Sequence, residues 1–319
     1  MERNGIAVAG VILVDKINSI SAYPECGQLT QIKDVSVAVG GCVPNVAIDI
    51  KRLSNDLNVK AIGKIGKDAE GEYALNILNQ NGVDTKDVIR SDEKTSFTEV
   101  MSVAGGQRTF FTYAGCNATF GVDDIDFDSL DAKMLHLGYF LLMDKVDNGD
   151  GLKILKKAKE RGIKTSIDLV SENSNRYSLV LPCLKYTDNL IINEIEAGML
   201  TGIKATDDNL VKIAKALKEK GVSERVIIHT PTLNVCVSND SQTVMPSFKL
   251  PDGFIKGTTG AGDAFCAGAL YSIYNEKTDE EILKTACLSA VSSLTEQDAV
   301  SGVRSISELY ELQKQYNLK

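Results

Sequence analysis

The feature that most restricts the fold is a recurrence. Short apolar runs rich in β-branched residues, at 6–14, 59–65, 134–137, 165–169, 189–192 and 225–229, alternate with amphipathic stretches at helical spacing. The stretches at 69–81, 149–161 and 207–220 end at Gly82, Gly162 and Gly221, residues suited to the left-handed turn that stops a helix. Strands separated by helices pair in parallel and need cover on both faces, so the pattern predicts a three-layer α/β/α fold around a mostly parallel central sheet.

Two segments break the rhythm. Residues 16–39 hold alternating short runs with no room for a full helix. Residues 95–113 read as two strands, 95–103 and 107–113, joined at Gly105-Gly106. Together they predict a small antiparallel sheet outside the main one, either a lid over a site or a pair of peripheral hairpins. No Pro-rich, Ser-rich or charged linker interrupts residues 1–319, so one domain with inserted lid segments is expected.

Composition excludes several partners. With 35 basic and 43 acidic residues the net charge is -8, and the lysines of 153–159 sit at helical spacing beside acids, which argues against nucleic acid. The run at 6–14 is too short to span a bilayer and lacks a signal peptide's cleavage site, so no membrane segment is expected. Seven scattered cysteines without a CxxC pair predict reduced thiols in a cytoplasmic protein, and two histidines leave little material for zinc. His136, alone on an apolar strand, is expected to be a satisfied core residue.

The strongest chemical signal is Gly257-Thr258-Thr259-Gly260-Ala261-Gly262-Asp263-Ala264-Phe265, followed by a small-residue helix. Glycines before a helix let the backbone approach a ligand, and the unpaired N–H groups of the first turn form an anion hole suited to phosphate. Asp263 stands where a P-loop needs Lys, and Phe265 breaks the dinucleotide fingerprint. An acid beside an anion hole repels a resting phosphate, so its function there is either to accept a proton from an attacking hydroxyl or to cap the helix.

These residues resemble the signatures of the ribokinase-like, or PfkB, carbohydrate kinases. Gly260-Ala261-Gly262-Asp263 matches the second signature, and Gly40-Gly41-Cys42-Val43-Pro44-Asn45-Val46-Ala47 the first. Ile62-Gly63-Lys64-Ile65-Gly66-Lys67-Asp68 and Asn81-Gly82-Val83-Asp84-Thr85 are similar to further family stretches, so the resemblance covers nearly the whole chain. It implies phosphorylation of a hydroxyl on a small sugar or sugar derivative, with ATP and Mg²⁺, an anion hole at Gly260, Ala261 and Gly262, and Asp263 as base.

The same resemblance implies substrate contacts at Asp15, Gly40, Gly41 and Asn45. Physically, Asp15 can accept from two neighbouring hydroxyls or simply end a strand, and Asn45 can bind a hydroxyl or cap the next helix. Arg108 and Asn117 are implied at the pocket, against a solvent-facing hairpin Arg and a turn Asn. Asn193-Glu194-Ile195-Glu196 looks like the family's NxxE motif, implying nucleotide contact at Asn193 and Mg²⁺ at Glu196 through water; dipole compensation is the plainer use of Glu196. Thr230 and Thr258 are implied at the nucleotide, although Asn234 stands near where the family has Gly. Gly257 replaces an Asp that many relatives use for a monovalent cation, so K⁺ activation is expected to be weak or absent.

Two other functions fit the same residues. A nucleoside kinase would want aromatic groups to stack on a base; Trp is absent, and the lid offers Tyr23, Phe97, Phe110, Phe111 and Tyr113. A catalytically silent sugar or nucleotide sensor would have no need of Asp263. Lid strands with exposed edges would also allow a homodimer.

Overall fold

The computed structural model describes residues 3–103 and 108–316; the Gly105-Gly106 turn lies outside the described residues. The chain runs β1 (Ile6–Ala9), β2 (Leu13–Ile20), β3 (Ile32–Gly40), α1 (Cys42–Leu53), β4 (Val59–Gly66), α2 (Ala69–Gln80), β5 (Val88–Ser91), β6 (Ser96–Val103) and β7 (Arg108–Tyr113). It continues β8 (Met134–Phe140), α3 (Gly151–Glu160), β9 (Lys164–Leu169), β10 (Asn189–Asn193), α4 (Glu194–Thr201), α5 (Leu210–Glu219), β11 (Arg225–His229), β12 (Leu233–Val237) and β13 (Gln242–Pro246). Helices α6 (Ala261–Tyr274), α7 (Asp279–Ser293) and α8 (Ile306–Gln313) close it.

Nine strands form the main sheet in the order β13-β12-β11-β10-β9-β8-β1-β4-β5. It is parallel from β11 to β5, and β12 and β13 extend it antiparallel. These last two strands escape the strand–helix rhythm because they form a hairpin. The chain leaves β1 for β4 on one side and later returns to β8 on the other. That reversal opens a crevice at the carboxyl ends of β1 and β8, where ligands of open α/β sheets bind.

The lid is a separate four-stranded sheet, β3-β2-β6-β7, with β2 and β6 parallel and the outer pairs antiparallel. The expectation of one strand over 6–14 is corrected here. Gly10, at φ +136°, ends β1, and a Cβ there would lie 2.6 Å from the Gly138 carbonyl oxygen. The chain then turns, and Leu13 starts the first lid strand, so Asp15 belongs to the lid and not to the end of β1. Both halves are buried, so their hydropathy gives no sign of the break.

The expected glycine stops hold, with Gly82, Gly162 and Gly221 all at positive φ. Helix α3 starts two residues later than the pattern suggests, and α5 is preceded by a short 3-10 turn at Asp207–Asn209. Helix α1 is buried around most of its circumference, Val43, Val46, Ile50 and Leu53 included. No helix among the described residues is long and apolar enough to cross a membrane.

Candidate active site

The glycine loop enters α6 through Gly260, which holds φ +78° and lies so close to Ala299 that a Cβ would come within 2.6 Å of its Cα. Among the described residues no side chain caps this helix start. Asp263 is therefore not the cap: it is the third helical residue, and its carboxylate is buried. Its Oδ2 accepts from Asn45 Nδ2 at 2.8 Å and from the Tyr139 hydroxyl at 2.8 Å. Among the described residues no donor is bonded to Oδ1.

Burial pushes the Asp263 carboxyl up to about 7, and the nearby Asp168 charge adds to the rise, while the bonds from Asn45 and Tyr139 pull against it. Asp168 is itself held: Oδ1 accepts the Tyr139 N–H at 2.5 Å, and Oδ2 lies 3.3 Å from His136 Nε2. His136 places its other nitrogen 3.0 Å from Ser166 Oγ, as expected of a satisfied core histidine.

Beside this group is a cavity of about 190 Å³, bordered by Tyr139, Asn193, Glu196, Gly260, Gly262 and Asp263. Asn193 caps α4, its Oδ1 accepting from the N–H groups of Ile195 and Glu196. Glu196 closes the box: Oε2 accepts the Asn193 N–H at 3.1 Å, and Oε1 accepts from Asn193 Nδ2 and Ser171 Oγ, both at 2.8 Å. Burial raises this carboxyl to about 8. Half-buried His229 borders the same cavity, and burial lowers it to about 4, so it is neutral at physiological pH. Thr230 does not border it; its hydroxyl accepts from Thr232 and Leu233 N–H and holds the β11–β12 turn. Thr258 is exposed, and its carbonyl accepts the Ala261 N–H at 3.4 Å.

A second cavity, about 650 Å³, lies against the lid. Asp15, Arg108, Phe110 and Tyr73 border it, with Thr259 from the glycine loop. Thr259 thus borders one cavity and Gly260 the other. Gly40 is required for Asp15, because a Cβ at Gly40 would fall 2.3 Å from the carboxylate oxygen. Desolvation raises Asp15 to about 6. Arg108 reaches from the lid and donates to Thr259 Oγ1. Gly41 is the N-cap of α1, so Asn45 lies within the helix and does not cap it. Asn45 Oδ1 is buried and meets no donor among the described residues.

Asn117 borders neither cavity. It is buried, and both ends of its amide meet the Ile12 backbone, Nδ2 donating to the carbonyl at 3.0 Å and Oδ1 accepting the N–H at 3.5 Å. Two residues that sequence reasoning passed over are at the centre, Tyr139 and Asp168. An acid inside an otherwise apolar strand was a usable signal for Asp168. Nothing in the residue pattern marks Tyr139, whose position depends on an irregular backbone.

The model of the pfkB family of carbohydrate kinases matches residues 9–305, and the chain belongs to that family. Among curated relatives, fructokinase-1 of Zea mays is 26% identical, the match covering 97% of this chain and 98% of that protein. The ribokinase of Haemophilus influenzae is also 26% identical, with the same coverage. Among solved structures, Arabidopsis thaliana ribokinase complexed with ribose and ATP superposes with a TM-score of 0.83 at 22% identity, over 98% of this chain and 99% of that one. The nucleoside kinase of Methanocaldococcus jannaschii gives 0.79 at 18% identity, over 99% of each chain.

Proposed function

We propose that this family member uses ATP to phosphorylate a hydroxyl of a small sugar or sugar derivative, with Asp263 as the base. One observation carries the reading: a buried carboxyl, raised to about 7, stands beside an uncapped helix start that borders a cavity on each side of its glycine loop. A base working near neutral pH needs a pKa in that range.

In this reading the sugar lies against the lid. Asp15 accepts from two of its hydroxyls, Gly40 and Gly41 let it approach the backbone, and the unpaired Asn45 Oδ1 takes a further hydroxyl donor. Arg108 closes the cavity, and Asn117 acts through the Ile12 backbone that leads into Asp15. Asn193 faces the nucleotide directly, with Thr230 and Thr258 reaching it from outside the cavity that Asn193 borders.

The reacting hydroxyl gives its proton to Asp263, and its electron pair forms the new O–P bond as the bond to the leaving nucleoside diphosphate breaks. The N–H groups of Gly260, Ala261 and Gly262 carry the charge that develops on the transferred group. Oxygen donors suit Mg²⁺, and the protein hydrogen bonds already made by both Glu196 oxygens favour contact through water. When bound, Mg²⁺ neutralises phosphate charge.

The test is ATP consumption with ribose, fructose, 2-keto-3-deoxygluconate and nucleosides, using Asp263→Asn as control. Substrate-dependent turnover that the substitution abolishes supports the reading. Consumption no greater than that of the variant on every compound refutes it. The nucleoside reading has its own support: a lid cavity larger than one sugar ring needs, with Tyr73 and Phe110 on its wall.

A cytoplasmic single-domain enzyme is part of the same reading, consistent with buried thiols at Cys42, Cys116, Cys183, Cys236 and Cys266. So is a dimer through the lid, whose outer strands expose Val35, Val37, Phe110 and Phe111. Sedimentation as a monomer at micromolar concentration would rule out the dimer.

A further inference from the structure

The mechanism above leaves one phenol unused. Tyr139 stands where the register of β8 against β9 slips between Leu137 and Phe140, and it holds φ +58°. A left-handed conformation is costly for a bulky side chain and persists only where surrounding contacts over-determine it. Here they do: the Tyr139 N–H donates to Asp168 Oδ1, and its hydroxyl donates to Asp263 Oδ2. Sheet irregularities of this kind re-aim side chains. This one sends a phenol to the carboxylate.

Asn45 Nδ2 reaches the same oxygen. With two donors on Oδ2 and none on Oδ1, the carboxylate has one oxygen anchored and one left to act. Resting on the kinase reading, we propose that Tyr139 is a positioning residue that, with Asn45, anchors Oδ2 and dedicates Oδ1 to the substrate's hydroxyl proton.

The groups around Asp263 leave the phenol a measurable influence. Asp168 on β9 opposes the charged form, and His136 on β8 favours it. Asp49 on α1 is fully buried, and desolvation, with the Asp263 charge, raises its carboxyl well above its ordinary value. The thiols of Cys42 on α1 and Cys266 on α6 are pushed further above their ordinary value and stay neutral. Tyr139 is itself raised well above 10, so it remains a donor throughout the working range. Its hydrogen bond favours the carboxylate, and losing it leaves burial and Asp168 less opposed.

The experiment is a ¹³C NMR titration of the full chain with carboxyl-labelled aspartate, the Asp263 signal being identified by its loss in Asp263→Asn. Tyr139→Phe should raise the Asp263 midpoint by about 1 pH unit, the worth of one hydrogen bond to a charged group. The acid limb of kcat/KM should move with it. Placing 3-fluorotyrosine at position 139 makes a stronger donor with little change of shape and should move both readings the opposite way, which separates hydrogen bonding from misfolding. A midpoint unmoved by both replacements overturns the assignment even if Asp263→Asn is inactive. Conversely, an Asp263→Asn variant that keeps its turnover overturns the kinase reading, and the assignment of Oδ1 falls with it.

Discussion

Replacing Asp263 by Asn should make the protein at once less active and more stable. The substitution keeps shape and removes the base, so kcat should fall by roughly 10² to 10⁴, the usual worth of a positioned general base. Stability follows from the raised carboxyl. The folded value of about 7 lies above the ordinary aspartate value of 3.8, so the acid's stabilising contribution is complete below 3.8 and is lost as pH climbs through 7. At 1.36 kcal/mol per unit, burying Asp263 costs the fold roughly 4 kcal/mol above pH 8, and roughly 2 kcal/mol at pH 5, where it must be kept protonated. A neutral amide escapes this cost. Calorimetry of both proteins from pH 5 to 8.5 should find the melting-temperature advantage of Asp263→Asn widening with pH by about 4 °C or more, at ~2 °C per kcal/mol for a chain of this size. A gap that is flat with pH, or a variant that keeps near-native turnover, refutes the reasoning.

Glu196→Gln should weaken activation by Mg²⁺ roughly 10- to 100-fold, the usual scale for losing a partner around a metal. In the unaltered protein the apparent Mg²⁺ affinity should rise as pH approaches about 8, because the buried carboxyl must lose its proton first; a pH-independent affinity contradicts this. Asp15→Asn should raise the sugar KM about 10- to 100-fold with a smaller change in kcat, the cost of losing charge-assisted hydrogen bonds. Equal losses in kcat and kcat/KM would instead move Asp15 into the chemical step. Exchanging K⁺ for a bulky organic cation at fixed ionic strength should leave kcat nearly unchanged. Gly257 offers no carboxylate, and a Cβ there would meet the Glu296 carbonyl oxygen at 2.7 Å, so no side chain fits without movement of that loop. A large saturable rise with K⁺ would overturn this.

What could be read from the residues, and what could not, divides along a physical line. The inner strands were legible because parallel strands buried on both faces must be continuous apolar runs. The helix stops were legible because a left-handed turn selects glycine. Errors fell where burial removes contrast. Val8 and Val11 look alike in a hydropathy profile, yet one is in the main sheet and the other follows the break at Gly10. Helix α1 was legible as the helix after Gly40-Gly41, but its start was not, since Gly41 and not Asn45 is its N-cap. The candidate site was legible as motifs but not as a network. Gly40-Gly41, Asn45 and Asp263 carry recognisable patterns, whereas the Tyr139 contact needs a slipped register and a left-handed tyrosine, neither of which has a sequence period.

The network also answers an objection that the motif alone raises, namely why a chain of net charge -8 should put acids around a site for a polyanion. Burial supplies the answer. Asp263 is raised to about 7 and Glu196 to about 8, and burial lifts Asp49 well above its ordinary value, so desolvation works against full negative charge on all three acids at or behind the helix start before ligands arrive. The same desolvation that quiets them leaves Asp263 able to take a proton near physiological pH. If all three were ordinary surface carboxylates, the uncapped N–H groups of α6 would face a cluster of full negative charges, and their pull on phosphate would be largely cancelled. Anion binding and base strength are therefore set together, by how deeply the fold buries Asp49 on α1, Glu196 on α4 and Asp263 on α6.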